Sequence, residues 1–298
     1  MNYDEPHNLA DAYGAGKFGL SFELFPPKTD AGETALYKHV EKLVEFGPSY
    51  ITCTYGAGGS TREKTLGIIS EVKKRHGLPV ASHLTCVGST VDDLRNYLTE
   101  AQRAGVDYIV ALRGDPPRGE TSFKATEGGL RYANELVALL RSEFKDFGIA
   151  VAGYPEKHQE ACSLEVDLEN LKRKVDAGAD VVITQLFYNN NDFFEFRERY
   201  DAAGINVPLV PGVLPVTNLS QIQRITSLCG AMLPDEFVNR LAQKEDDNDW
   251  QFEVGVEFAT AQVQELIDAD VPGVHFYVLN KSQATARVLN SVQREPTS

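Results

Sequence analysis

Basic residues are scarce in this chain: 29 lysines and arginines face 43 aspartates and glutamates, for a formal charge of -14 over 298 residues. Such a surface repels nucleic acid and anionic membrane, and no basic stripe offsets it, so neither is expected as a partner. An anionic ligand would need locally placed cations. Long apolar runs are missing as well. No stretch approaches the roughly 18 residues of a membrane span, and residues 1–17 lack the basic start and apolar centre of a secretory leader. The expected location is cytoplasmic. The four cysteines, Cys53, Cys86, Cys162 and Cys229, are far apart, and the six histidines form no HExxH pair. Reduced thiols and no metal are therefore expected.

What the chain does have is 42% hydrophobic residues, enough for a sizeable core, and a repeating unit. Six helical patterns run into a glycine followed by an apolar segment, at Gly47, Gly77, Gly105, Gly148, Gly178 and Gly204. Glycine ends a helix in the left-handed conformation and a short loop then enters the next strand. Capping spacings, Asp30 with Glu33, Ser60 with Glu63 and Thr90 with Asp93, mark helix starts. Strands are predicted over 18–24, 50–54, 80–84, 108–112, 149–153, 181–186, 208–213 and 274–279. Eight strands alternating singly with helices imply an α/β fold, a single (β/α)8 TIM barrel over 18–298. An open doubly wound sheet is the alternative. Residues 1–17 read as a short N-terminal extension, and the helical patterns between Leu219 and Asp268 as extra helices before the last strand. The acidic run Glu245–Asp249 reads as a solvated loop entering one of them.

In such a barrel the loops after the strands build the site. Alternation in the first strand places Ser21 and Glu23 on one face and Phe22 and Leu24 on the other. If the aromatic face meets the helices, Glu23 points into the barrel mouth, where apolar neighbours would disfavour its charged form and make it a general acid. A buried glutamate paired to a barrel lysine or arginine is the equal alternative. The second strand leads into Gly56-Ala57-Gly58-Gly59-Ser60, a flexible turn that is not a dinucleotide fingerprint, because the third glycine would fall on Thr61. His83 ends the third strand and by itself reads more simply as a core histidine. Arg113-Gly114-Asp115 ends the fourth, and Tyr154 to His158 follows the fifth. Asp167, Asn170 and Lys174 then share one helical face, which by spacing is an ordinary solvated face as readily as a ligand site. Gln185 ends the sixth strand, and Asn280-Lys281 follows the eighth.

Taken in order, Ser21 to Pro27, Thr54-Tyr55-Gly56-Ala57, His83-Leu84-Thr85-Cys86, Leu112 to Asp115, Tyr154-Pro155-Glu156 with His158, and Ile183-Thr184-Gln185 closely resemble the flavoprotein methylenetetrahydrofolate reductases, over nearly all of residues 18–292. The resemblance implies a barrel holding FAD. Hydride would pass by a ping-pong route from NADH or NADPH through the flavin to 5,10-methylenetetrahydrofolate, giving 5-methyltetrahydrofolate for one-carbon metabolism and methionine supply. It implies Glu23 as general acid and Asp115 as the charge that stabilises a folate iminium cation, with Gln185, Gln221 and Lys281 as further folate contacts. For FAD it implies Thr54, Tyr55, Ala57, His83, Arg113, Gly114, Asp115, Tyr132, Ala133, Tyr154 and His158. Asp167, Asn170, Arg173 and Lys174 would serve the ribose and diphosphate, Arg173 and Lys174 supplying the local cations that an acidic chain needs for an anionic cofactor.

Two positions depart from the family pattern. Lys281 stands where many members carry arginine and so lacks the bidentate fork for a carboxylate, and Ile225 stands where some bacterial members carry an aromatic residue. Feedback control by adenosylmethionine is not expected of a chain that ends soon after the barrel, and a homo-oligomer is compatible with the sequence. Two readings compete: a flavin-free pterin barrel passing a methyl group to a corrinoid partner, and a noncatalytic carrier.

Overall fold

Alternation of short apolar strands with amphipathic helices is carried through in the computed structural model, which describes residues 8–14, 16–55, 62–116, 119 and 122–293. The strands are β1 (Gly19–Leu24), β2 (Tyr50–Cys53), β3 (Val80–Thr85), β4 (Tyr108–Leu112), β5 (Gly148–Gly153), β6 (Val181–Thr184), β7 (Leu209–Val210), β8 (Gly212–Val213) and β9 (Gly273–Tyr277). Every pairing is parallel, in the order β7-β6-β5-β4-β3-β2-β1-β9-β8. The two ends of that order are consecutive in the chain. The predicted seventh strand is thus divided at Pro211, β7 pairing with β6 and β8 with β9, and the sheet closes into a barrel at that residue. Proline has no amide proton to donate to a ladder, but its carbonyl accepts from His275 N at 2.9 Å.

Helices α1 (Asp30–Val44), α2 (Arg62–His76), α3 (Val91–Arg103), α4 (Ala133–Glu143), α5 (Leu164–Asp176) and α6 (Asn190–Ala202) follow the first six strands in turn. After β8 come α7 (Leu219–Cys229), α8 (Asp235–Ala242) and α9 (Asn248–Asp268), the expected extra helices, and α10 (Gln283–Ser291) follows β9. Leu20, Phe22 and Leu24 of β1 and Ile109 and Ala111 of β4 face the helices in the main core. The opposite faces fill the barrel: Tyr50, Ala81, Val110, Ala150, Val181, Ile183 and Val210 pack around Leu9 and Tyr13. Part of the stretch read as an extension is therefore built into the barrel, as a single-turn helix (Leu9–Ala12) whose Leu9 is fully buried.

Local signals hold with two corrections. Thr90 and Asp93 form the predicted capping box, but the cap of α1 is Thr29, whose hydroxyl accepts from Gly32 N at 3.1 Å, so Asp30 and Glu33 lie in the first turn rather than around it. Ser60 lies outside the described residues. Gly47, Gly77, Gly105, Gly178 and Gly204 have positive φ. Gly148 does not, being the first residue of β5, four residues beyond the α4 cap at Phe144. The acidic run does enter a helix, with the Asp247 carboxylate accepting from Trp250 N at 2.9 Å. The repeated Ala-Gly-X-Asp segments carry a shared device. Asp107 accepts from Lys73 Nζ and from Val80 N at 2.9 Å, and Asp180 from Arg141 and from Ile149 N at 2.7 Å, so each carboxylate ties an amide at the start of a neighbouring strand to a helix cation.

Gly255 lies inside α9, where the Val216 carbonyl occupies the place of a Cβ. In an open helical site such as Gly67, which has nothing within 4 Å, Gly→Ala stabilises by about 0.5–1 kcal/mol. Urea denaturation should show that gain for Gly67→Ala and a net loss for Gly255→Ala, because the backbone of Val216 must move.

Candidate functional site

Glu23 is the only carboxylate among the buried residues of β1, and closure of the barrel brings β9 against it on one side and β2 on the other. Its Oε2 lies 3.2 Å from Nε2 of His83 and 3.7 Å from Nε2 of His275. The partners of the buried glutamate are thus two imidazoles, in place of the lysine or arginine that the sequence suggested. Burial pushes the Glu23 pKa up, but the charge available on His83 and the proximity of both rings outweigh it, and the carboxyl is held down to about 2. The expectation that apolar neighbours make Glu23 a weak acid is thereby corrected, since Phe22 and Leu24 face the helices and histidines line the inner side.

Two polar atoms beside this carboxylate are left over. His83 Nε2 is close to Glu23 but not aligned for a hydrogen bond, and Thr52 Oγ1, across the β1–β2 register from Glu23, is fully buried; neither has a hydrogen-bond partner among the described residues. Unsatisfied buried groups of this kind cost about 1–3 kcal/mol each, and both lie beside Glu23. Tyr277, in register with Glu23, donates to the Thr184 carbonyl at 2.8 Å and sets its ring edge-on to His275.

Between β4 and β5 the rim carries a second group. Gly114 has φ 86°, and a Cβ there would lie 2.5 Å from Val87 Cγ1, so both conformation and space demand glycine. Arg113 makes a bidentate pair with Glu160, both bonds 2.6 Å, with Phe123 under its guanidinium. Asp115 is exposed beside it. Tyr154 is half-buried and stands edge-on to the His158 ring, centroids 4.8 Å apart. Burial, then Arg113, lowers the His158 pKa, and Nδ1 of that neutral ring accepts from Glu160 N at 3.1 Å, which leaves Nε2–H as the donor.

Of the α5 residues, Asp167 accepts from His158 N at 3.0 Å and so anchors this rim loop, and Asn170 accepts from Arg173 at 3.0 Å. Lys174 turns inward, donating to the Ala152 carbonyl at 2.5 Å, and burial lowers its pKa to about 8 against the pull of Asp167. Thr54 and Tyr55 follow β2, with Tyr55 Oη accepting from Thr85 N at 2.6 Å. Exposed Tyr132 and the adjacent Ala133 begin α4. Gln185 folds back onto Leu186 N at 2.9 Å. Gln221 and Lys281 are exposed, on the first turn of α7 and just before α10. Ala57 lies outside the described residues.

The sequence reading passed over His275, Thr52 and Glu160. Alternation along Gly273–Tyr277 carries the signal for His275, since it puts His275 and Tyr277 on the face that β9 shares with Glu23. Glu160 had no local signal, because its partner lies 47 residues away.

The Glu23 value sets a pH dependence. With a folded value near 2 against an ordinary 4.5, its contribution to stability is present above the ordinary value and is lost as pH falls from there toward 2. Glu23→Gln should flatten the fall of melting temperature over that acid window, as read by circular dichroism.

Comparison with known proteins agrees with this architecture. The family profile described as methylenetetrahydrofolate reductase matches residues 8–293. The 5,10-methylenetetrahydrofolate reductase of Escherichia coli (strain K12) is 38% identical over 281 residues, covering 94% of this chain and 93% of that protein. Methylenetetrahydrofolate reductase (NADH) 1 of Zea mays is 36% identical over 291 residues, 94% of this chain but 49% of its own length. The chain thus spans about half the length of the plant relatives it matches. Among solved structures, an uncharacterized protein from Clostridium thermocellum that binds two copies of 5-methyl-5,6,7,8-tetrahydrofolic acid superposes with a TM-score of 0.60 at 15% identity, covering 92% of this chain and 94% of that one. At that identity the likeness concerns the fold alone.

Proposed function

The chain belongs to the methylenetetrahydrofolate reductase family, and from that premise we propose that it reduces 5,10-methylenetetrahydrofolate to 5-methyltetrahydrofolate with electrons from NADH or NADPH, by way of bound FAD. The observation that carries this reading is the buried Glu23 carboxylate between His83 and His275 at the mouth of the barrel, with unsatisfied polar atoms on His83 and Thr52 beside it. A planar, polar ring stacked in that mouth would satisfy donors and acceptors that the chain leaves unpaired.

The residues fit a dinucleotide flavin in three respects. Gly114 presents bare backbone at the rim, Arg113 offers a fork, and His158 offers Nε2–H. Arg173 and Lys174 bring positive charge to one helix of an otherwise acidic protein. FAD when bound supplies the two-electron hydride chemistry that no side chain here provides. Thr54, Tyr55, Ala57, His83, Tyr132, Ala133 and Tyr154 would line it, and Asp167 and Asn170 would meet its ribose.

Glu23 holds the proton at issue. In the chain alone it is ionised, and burial is the one influence that raises its pKa. A ligand that covers the mouth and excludes water strengthens that influence, so the carboxyl gains a proton where folate ring opening needs an acid. Exposed Asp115 would place negative charge near the cationic folate, while Gln185, Gln221 and Lys281 would orient the pterin and tail. Lys281 gives a point charge there in place of a fork.

Anaerobic absorption spectroscopy tests the whole reading. The purified protein should show a flavin spectrum that NADH bleaches and methylenetetrahydrofolate restores; a colourless protein that cannot be reconstituted with FAD would favour the corrinoid methyltransferase or the carrier. Glu23→Gln should keep FAD and its bleaching by NADH while folate-driven recovery slows by about 10²- to 10⁴-fold, the usual worth of a general acid. Glu160→Gln removes the carboxylate that now occupies Arg113, and fluorescence titration should show FAD binding tightened by up to about fivefold, the worth of a partly exposed ion pair.

A further inference from the structure

Beneath Glu23 a line of buried polar groups runs down the inside of the barrel. His275 Nδ1 lies 2.7 Å from Ser21 Oγ, Ser21 Oγ 3.0 Å from Tyr13 Oη, and Tyr13 Oη 2.9 Å from Tyr50 Oη. All four residues are at most 4% exposed. They come from three strands and from the N-terminal segment, so only the closed barrel assembles them.

Proton counting gives this line a direction. Each hydroxyl has one proton to donate. If Tyr50 donates to Tyr13, Tyr13 to Ser21 and Ser21 to His275 Nδ1, every O–H in the line has an acceptor. In the opposite sense the Tyr50 O–H has only Ser21 Oγ to turn to, an atom already engaged with His275 and Tyr13. That sense also turns the bare Nε2 lone pair of His275 toward the Glu23 carboxylate, 3.7 Å away. The favoured sense makes Nδ1 an acceptor and presents Nε2–H to Glu23.

We infer that His275 is a positioning residue for Glu23, held by Ser21 and Tyr13 in the tautomer that keeps the carboxylate charged. The inference rests on reading Glu23 as the proton donor, which makes the charge of this group the quantity that the enzyme must control. The titratable groups within electrostatic reach of Glu23 are Tyr50 and Cys53 from β2, His83 from β3, and His275 and Tyr277 from β9. Only the two imidazoles among them can bring positive charge. Burial drives Tyr50, Cys53 and Tyr277 toward their neutral forms, and the negative charge of Glu23 adds to that. His83 Nε2 has no hydrogen-bond partner to fix it, whereas His275 is fixed from below.

Nuclear magnetic resonance reads this without turnover. In protein carrying ¹⁵N-histidine, with His275 assigned by its loss in His275→Gln, the neutral ring should show a protonated Nε2 and a bare Nδ1; protonated Nδ1 would overturn the inference. In protein carrying ¹³C-glutamate, with Glu23 assigned through Glu23→Gln, the wild-type carboxyl should stay ionised down to the acid limit of the fold. In His275→Gln its titration should move up by at least about half a pH unit, and in Ser21→Ala in the same direction by less. An unmoved titration in both variants would reduce His275 to a packing role. Should His275→Gln fail to fold, Ser21→Ala removes the hydroxyl that orients the ring and decides the matter alone. Neither signal involves flavin or folate, so failure of the reductase reading would leave both intact.

Discussion

A carboxylate buried inside a parallel barrel has to be compensated by its neighbours, and in this protein that requirement falls on Glu23. Desolvation alone would raise its pKa. His83 and His275 reverse the balance, and neither is near it in sequence: one lies on β3 and the other on β9, more than two hundred residues from Glu23. The site therefore depends on closure of the sheet, which occurs where Pro211 divides the seventh strand and hands its pairing from β6 to β9.

The same closure explains why the N-terminal segment belongs to the barrel. A parallel barrel of small and β-branched inner residues leaves space at its lower end, and Leu9 and Tyr13 fill it against Ala81, Val110, Ala150 and Val181. Tyr13 adds a hydroxyl to the line that ends at His275. Packing at the floor and chemistry at the mouth are thus joined through one column of side chains.

Charge on the rim follows a different rule from charge inside. At -14 overall, the protein cannot attract an anion by its general field. It holds cations in reserve instead: Arg113 against Glu160, Arg173 against Asn170, and Lys174 against the Ala152 carbonyl. Each is already partnered, so an incoming anion exchanges one set of contacts for another, and affinity reflects the difference.

The fold was legible in the sequence because its signals are local. Strand and helix follow from apolar periodicity, helix ends from glycines such as Gly105 and Gly178, and helix starts from caps such as Thr90. Local rules fail by small displacements along the chain: the α1 cap is Thr29 ahead of Asp30, and Gly148 lies inside a strand. Motifs place Glu23, His83, Arg113 and Tyr154 at or just past the ends of β1, β3, β4 and β5, which alternation and order along the chain are enough to do. What the sequence could not decide was the state of those groups. The charge on Glu23, the occupation of Arg113 by Glu160, the role of His275 and the entry of Tyr13 into the barrel all depend on distances between residues remote in the chain. Electrostatic and hydrogen-bond energies act over a few ångströms in a low dielectric, so only the tertiary structure, by setting those distances, decided them.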